Sequence, residues 1–284
     1  SEKLTPHLGG RTNYIVHYEN LKTYLSLGMK LTKIHRVLQF HQSPWLKPYI
    51  TLNTEKRKLA ANEFEKDFYK LMNNSIFGKS CENLRNHRDI KLVSTEENLL
   101  YYTSKPSFKG LRILTENLVS IEKHKTCLKA IKPMYVGFSI LDISKVLMYE
   151  FHYKVIKHKY NSNAVLLFTD TDSLCYKIET PDLYSDLKEI VSLMDTSNYP
   201  PAHFLYDKTN AKVLGKMKDE HASVPAVEFI GLRSKMYSLS DDSHNVKKTA
   251  KGVSKSVIRQ VLKHETYKEV LSNTSKILCT MKNI

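Results

Sequence analysis

Apolar and polar positions fall into blocks of different period. The most distinctive block is Ala164-Val165-Leu166-Leu167-Phe168-Thr169-Asp170-Thr171-Asp172-Ser173-Leu174-Cys175-Tyr176. Its continuous run of Val, Leu and Phe predicts a buried strand. Thr-Asp-Thr-Asp-Ser predicts a turn, and Leu174 to Ile178 the returning strand. Upstream, Ile140, Ile143, Val146 and Leu147 recur at helical spacing, predicting a helix over Tyr135–Tyr149 that continues towards Tyr160, with Asn161-Ser162-Asn163 as the turn.

Nearer the start, Tyr14, Val16 and Tyr18 alternate as in a half-buried strand. Leu21, Tyr24, Leu25 and Leu27 have helical spacing, with Gly28 placed to end the helix. Leu31 to Phe40 reads as another strand, and Pro44 and Pro48 bracket a loop around Trp45. A long helix is then predicted through Leu59, Ala60, Phe64, Phe68, Leu71 and Met72, capped by Asn53 or Thr54. Residues 86–135 are polar and mixed, broken by Pro106, Gly110 and Pro133, and read as an insertion or small subdomain. After the central hairpin come an acidic stretch (Glu179, Asp182, Asp186, Glu189, Asp195) expected to face away from any polyanion, a turn and strand from Gly215, and strands over 226–239. Gly252 should interrupt the last pattern, so the final basic helix starts near Ser254.

Composition narrows the setting. The 284 residues are 41% hydrophobic, and no apolar run approaches the roughly 18 residues of a membrane span. Cys81, Cys127, Cys175 and Cys279 lie far apart, without zinc or disulfide spacing, so a reduced, intracellular protein is expected, nuclear if the host is eukaryotic. The chain opens at Ser1 without a secretory leader, and we expect it to be part of a longer protein. Lys and Arg number 44 against 29 Asp and Glu, a net +15 that favours a polyanionic partner such as nucleic acid.

Four groups of residues carry candidate chemistry. Asp170 and Asp172, spaced i, i+2, share a face if the strand stays extended. Neighbouring carboxylates repel unless a cation lies between them, and hard oxygens suit Mg²⁺ or Mn²⁺. The competing reading is a tight hairpin whose Asp and Ser side chains cap backbone groups. On the long helix, Lys58, Lys66 and Lys70 fall at about 0°, 80° and 120°, one side that suits a triphosphate. Interspersed Glu55, Glu63, Glu65 and Asp67 allow a solvated, self-paired face instead. The helix runs on into Asn73-Asn74-Ser75-Ile76-Phe77-Gly78-Lys79, where an aromatic ring and a glycine can press on a sugar or base. Arg233, Lys235 and Tyr237 would share one strand face and could hold a phosphate backbone. Lys247, Lys251, Lys255, Arg259 and Lys263 recur every four residues, a basic stripe suited to a duplex or simply to solvent.

In order along the chain, Lys70-x-x-x-Asn74-Ser75-Ile76-Phe77-Gly78, Phe168-Thr169-Asp170-Thr171-Asp172-Ser173 and Lys235-Met236-Tyr237 resemble the motif set of family B DNA polymerases. Asp67-Phe68-Tyr69-Lys70-Leu71-Met72-Asn73-Asn74-Ser75 and Gly231-Leu232-Arg233-Ser234-Lys235-Met236-Tyr237 are similar to protein-primed members, especially those of Polinton or Maverick transposons.

The resemblance implies an α+β fold: a palm of antiparallel sheet and packed helices, helical fingers and the start of a thumb. It partitions the chain into a palm-associated segment (1–50), fingers (51–85), an insertion aiding processivity (86–135), the palm (136–245) and the thumb (246–284). It makes Asp170 and Asp172 the catalytic metal ligands for two Mg²⁺ ions, Asp172 the more direct of the two, with Mn²⁺ as an alternative. Lys58, Lys66 and Lys70 would grip the incoming dNTP, with Lys70 also catalytic, above a floor of Asn74 and Phe77. Lys235 and Tyr237, with Lys251, Lys255 and Arg259, would hold the DNA primer-template. A priming terminal protein is a further implied partner, and no membrane is. An earlier carboxylate motif of the Asp-x-x-Ser-Leu-Tyr-Pro kind is not found before the lysine helix, nor are the exonuclease motifs. A C-terminal polymerase portion, weak or inactive alone, is therefore expected. Two alternatives are a catalytically inactive DNA-binding transposon remnant and a glycosyltransferase whose Asp-x-Asp holds a nucleotide sugar through a metal.

Overall fold

The structure of the chain, a computed structural model, describes residues 7–273 and Leu278. Cys279 lies outside the described residues. Helices and antiparallel strands give an α+β fold, which divides at Val146/Leu147 into two compact units. Among the described residues, no helix is long and apolar enough to cross a membrane.

The first unit starts with α1 (Tyr18–Ser26), which ends near Gly28 in the left-handed conformation at φ +94°, as the spacing predicts. The strand expected over 14–18 is absent. The His17 ring caps α1 by accepting from the Glu19 N–H, and the His17 N–H is donated to Asp142, so the local groups a strand would use start a helix instead. The strand expected over 31–40 is absent too. It has no pairing partner, and a lone strand leaves its backbone groups to water. Phe40 anchors its far end by stacking on Tyr135 at 4.9 Å.

The predicted long helix is two. α2 (Lys47–Leu59) starts before Asn53, with Pro48 in its first turn rather than in a loop, and α3 (Glu63–Ser80) starts after a break at Ala60. Asn62, not Asn53 or Thr54, is the cap. Its side chain accepts from the Glu65 N–H at 2.8 Å, while the Glu65 carboxylate reaches back to the Ala61 N–H at 3.0 Å. The two helices pack on each other: Tyr49 reaches the Met72 carbonyl, and Asn73 reaches Thr54.

Within the 86–135 stretch the chain folds into a small sheet. β1 (Asp89–Val93), β2 (Phe108–Thr115) and β3 (Leu118–Lys123) make an antiparallel sheet in the order β1-β3-β2, covered by α4 (Glu96–Thr103) around the fully buried Ile121. α5 (Met134–Glu150) then packs on the end of α3. A Cβ at Gly137 would lie 2.2 Å from Cys81 Sγ and 2.4 Å from Ser80 Oγ, so only glycine admits this approach. Asp142, buried on α5, accepts from the His17 N–H at 2.8 Å and pairs with Lys145. Burial alone would raise its pKa; the two partners outweigh that and hold it lowered.

The second unit continues α5 through a π-helical turn, Phe151–Ile156, and α6 (Lys157–Tyr160). β4 (Ala164–Asp170) and β5 (Ser173–Ile178) form the predicted hairpin, whose base packs Ile156, Tyr160 and Ala164 against Phe151, Tyr176 and Ile178. The acidic stretch is not an open acidic surface. Asp182 caps α7 (Leu183–Glu189), Lys159 pairs with Asp186 and Glu189, and Lys177 pairs with Glu179. Asp195 is buried at the short bridge of β6 (Met194–Asp195) with β7 (Met217–Lys218), accepting from the Ser197 and Lys212 N–H groups. β8 (Ala226–Arg233), β9 (Met236–Asp241) and β10 (Val246–Ala250) form an antiparallel sheet in the order β10-β9-β8. α8 (Lys255–Gln260) starts after its Ser254 cap, as expected, and α9 (His264–Asn273) lies against β8 and β9. There His264 bridges Ser238 and Glu228, and the buried Tyr267 donates to the Thr249 carbonyl.

Two predictions concern the first unit. Gly137→Ala forces α3 and α5 apart and should lower stability by about 1–3 kcal/mol in a denaturant titration; an unchanged midpoint would show that the two helices yield freely. Glu82 is held down to about 2 by Lys79, His87 and Lys132, all within 3.1 Å. A depressed carboxylate contributes stability above its ordinary value of 4.5 and loses it as pH falls towards 2. Wild type should therefore lose more stability than Glu82→Gln across that window, which parallel acid titrations followed by circular dichroism would test.

Candidate active site

The Asp-Thr-Asp hairpin is tighter than extended alternation predicts. Asp170 ends β4 opposite Ser173, leaving Thr171 and Asp172 as a two-residue loop. Thr171 adopts φ +57°, and the Asp172 N–H donates to the Asp170 carbonyl at 2.7 Å. The two carboxylates are thus not successive same-face positions of one strand: Asp170 stands at a strand end and Asp172 on the exposed turn. Leu167 is an extra residue in the β4–β5 ladder, which skips from Leu166–Tyr176 to Phe168–Cys175. Such a bulge re-aims the side chains that follow it.

What it aims is Phe168. Its ring stacks on Tyr237 of β9 at 4.5 Å and on Phe229 of β8 at 5.7 Å. Gly231 makes room for this three-ring cluster, because a Cβ there would lie 2.9 Å from the Phe229 ring. The cluster fixes the hairpin on the β8–β9 sheet, two segments about 60 residues apart in sequence.

The same contact brings a cation to the carboxylates. Arg233, Lys235 and Tyr237 do not share one strand face, contrary to the alternation reading. β8 ends at Arg233, Ser234 and Lys235 form the turn, and Tyr237 belongs to β9. Lys235 has φ +58°, and its ammonium lies 3.0 Å from Asp170 Oδ1. The Lys251 N–H donates to the Lys235 carbonyl at 2.9 Å, so the basic segment begins at this turn.

Among the described residues, no three His, Cys, Asp or Glu side chains gather as a metal-ligand group. Asp170 and Asp172 are nonetheless the donor set that Mg²⁺ commonly takes from protein, one or two carboxylates with the remaining positions left to water and phosphate oxygens. The Lys235 ammonium already stands as a cation on one of those oxygens. The oxygens of Asp170 and Asp172 are hard donors of the kind a divalent ion takes.

In the first unit, α3 places Lys66, Lys70, Asn74 and Phe77 within an arc of about 80°. Lys70 and Asn74 are exposed, while Lys66 is paired with Glu63. The α2-facing side of α3 is a different arc, carrying Tyr69, Met72 and Asn73. Lys58 does not join this arc as the single-helix reading required, because it sits exposed in the last turn of α2. The basic stripe is also shorter than its four-residue spacing implies. Lys255 and Arg259 are exposed on α8 and Lys251 precedes it, but Lys263 lies beyond the helix and Lys247 pairs with Glu220.

Sequence reading missed the ring cluster, because Phe168 and Phe229 look like ordinary strand residues until β4 and β8 are seen to touch. It also missed His152, placed by the π-helical turn to share a 2.9 Å hydrogen bond with the Tyr176 hydroxyl. Burial pushes the His152 pKa down.

No curated protein and no solved structure matches the chain. The family model for DNA polymerase type B, organellar and viral, matches residues 1–158, which include α2, α3 and all of α5 and stop short of the Asp-Thr-Asp hairpin. That match spans more than half of the 284 residues, and the chain belongs to the organellar and viral type B DNA polymerases.

Proposed function

We propose that this chain carries the nucleotidyl-transfer centre of a DNA-directed DNA polymerase, with Asp170 and Asp172 as its metal ligands. The observation that carries the reading is the 3.0 Å pairing of Lys235 with Asp170, which joins the second and third motifs of the resemblance at one point. Two motifs distant in sequence converge on one carboxylate, and a merely structural hairpin has no need of that convergence.

On this reading Asp170 and Asp172 hold Mg²⁺, with Mn²⁺ as a substitute. Divalent ions bound there would lower the pKa of a primer 3′-hydroxyl and stabilise the leaving pyrophosphate. The α3 arc supplies Lys70, and Lys66 once released from Glu63, to the triphosphate of a dNTP, with Asn74 and Phe77 beneath the sugar and base. Lys58, at the end of α2, is at most an outer phosphate contact. Tyr237, stacked on Phe168, holds the Lys235 turn in register against the primer end, and Lys251, Lys255 and Arg259 grip phosphates of the duplex. Protein priming, on an element of the Polinton or Maverick kind, is the finer form of this proposal, supported by the Gly231–Tyr237 wording and the subdomain at 86–135. A catalytically inactive, DNA-binding remnant is the second reading, favoured because among the described residues no third metal-ligating side chain gathers with the two carboxylates at the hairpin.

Primer extension on a primed template tests the proposal. With Mg²⁺ or Mn²⁺, extension should fall on the order of 10³-fold or more in Asp172→Ala. In Lys70→Ala the KM for dNTP should rise about 10- to 100-fold, the effect of losing one charge-assisted phosphate contact. Salt-sensitive DNA binding without any metal-dependent extension, both in this chain and in a version extended upstream, would replace the enzyme with the remnant. Extension that is indifferent to Asp172→Ala would remove the hairpin from the chemistry.

A further inference from the structure

The turn that presents Lys235 is built against the residue's own preference. With Arg233 paired to Met236, Ser234 and Lys235 form a two-residue loop, and Lys235 takes a φ of +58° that glycine or asparagine adopts more readily. Two contacts hold it there: the Lys251 N–H on its carbonyl at 2.9 Å, and the stacking of Tyr237, two residues on, against Phe168. Strain of this kind persists where the surroundings over-determine it. Its result is a lysine whose ammonium reaches Asp170 Oδ1 at 3.0 Å, from a side chain 48% exposed to a carboxylate 39% exposed.

An ammonium on that oxygen opposes a divalent ion brought to the same carboxylate, even one that takes the other oxygen, because two cations at such close range repel. Resting on the reading of Asp170 as a metal ligand, we propose that Lys235 is a built-in counter-ion that competes with the divalent cation for Asp170 and is displaced when the ion binds. Lys235 is then a positioning residue that acts through Asp170. It keeps the carboxylate neutralised and oriented until the metal arrives, and it raises the metal concentration the site requires. Displacement also frees one ammonium beside the hairpin for an anionic group, so that metal entry and exposure of a phosphate-binding charge become one event. The same strained turn explains why lysine stands where glycine would fold more easily: a glycine has no charge to offer Asp170.

The test is direct Mn²⁺ binding to the whole chain, read from the electron paramagnetic resonance signal of free Mn²⁺ with neither DNA nor nucleotide present. Asp170→Asn should weaken binding at the site. Lys235→Ala should tighten it roughly two- to fivefold, the size expected from removing one partly exposed ion pair. Lys235→Gly, which also relieves the backbone, should tighten it as much, and Lys235→Arg should stay near wild type. Equal or weaker Mn²⁺ binding in both Lys235→Ala and Lys235→Gly would overturn the competition while leaving the metal site intact, provided Asp170→Asn still weakens binding. Mn²⁺ binding unaffected by Asp170→Asn would overturn the metal reading itself, and the inference with it.

Discussion

The stacking of Phe168 on Tyr237 and Phe229 is the contact on which the candidate site depends. An Asp-x-Asp turn on an isolated two-stranded hairpin would be marginally stable in water. Half-buried aromatic contact supplies what the hairpin's own ladder lacks, and offset ring pairs add a further preference for one geometry. Because Phe168 is two residues before Asp170, and Tyr237 two residues after Lys235, the ring contact and the ion pair are coupled by short, stiff lengths of strand. The rings set the register, and the register brings the charges together. Reversing that order of cause does not work. A half-exposed ion pair contributes little on its own and could not hold two sheets in place.

Local strain is spent at the same spot. Thr171 and Lys235, both at positive φ, are the tips of the two turns that face each other across this contact, while Gly231 yields its side-chain volume to Phe229. Each departs from what the residue or strand would adopt alone. Such departures survive only where packing nearby is firm enough to impose them, and here the buried Ile230, Ser238 and Leu239 of the sheet provide it. Strained tips on a firm sheet keep charged side chains pointed without burying them.

Much of this was legible in the sequence, and the remainder failed for identifiable reasons. The hairpin, the helix ahead of it and the Ser254-capped basic helix follow from apolar period and turn residues, which are local signals. The break between α2 and α3 was legible too, since Asn62-x-x-Glu65 is a helix-start pattern. Continuous helical periodicity across Ala60 masked it. The strand reading of 31–40 failed because a strand is defined by its partner, and none pairs there. The one-face reading of Arg233, Lys235 and Tyr237 failed because a two-residue turn at Ser234 and Lys235 cuts the alternation, and no composition cue marks a lysine at positive φ. Pairings such as Phe168 with Tyr237 are long-range facts that no local pattern encodes.

Charge accounts for what the fold leaves exposed. Many acids among the described residues are paired with nearby cations, from Glu82 in the first unit to Asp186 and Glu228 in the second. Asp172 and Lys70 are among the exposed described residues that take part in no ion pair. A carboxylate and an ammonium kept unpaired in a chain so rich in partners lose little by it in water, where surface pairs are worth little. They gain the capacity to bind an ion of opposite sign without first breaking an internal bond. Asp170 is the intermediate case, paired but with a lysine whose ammonium remains half in solvent.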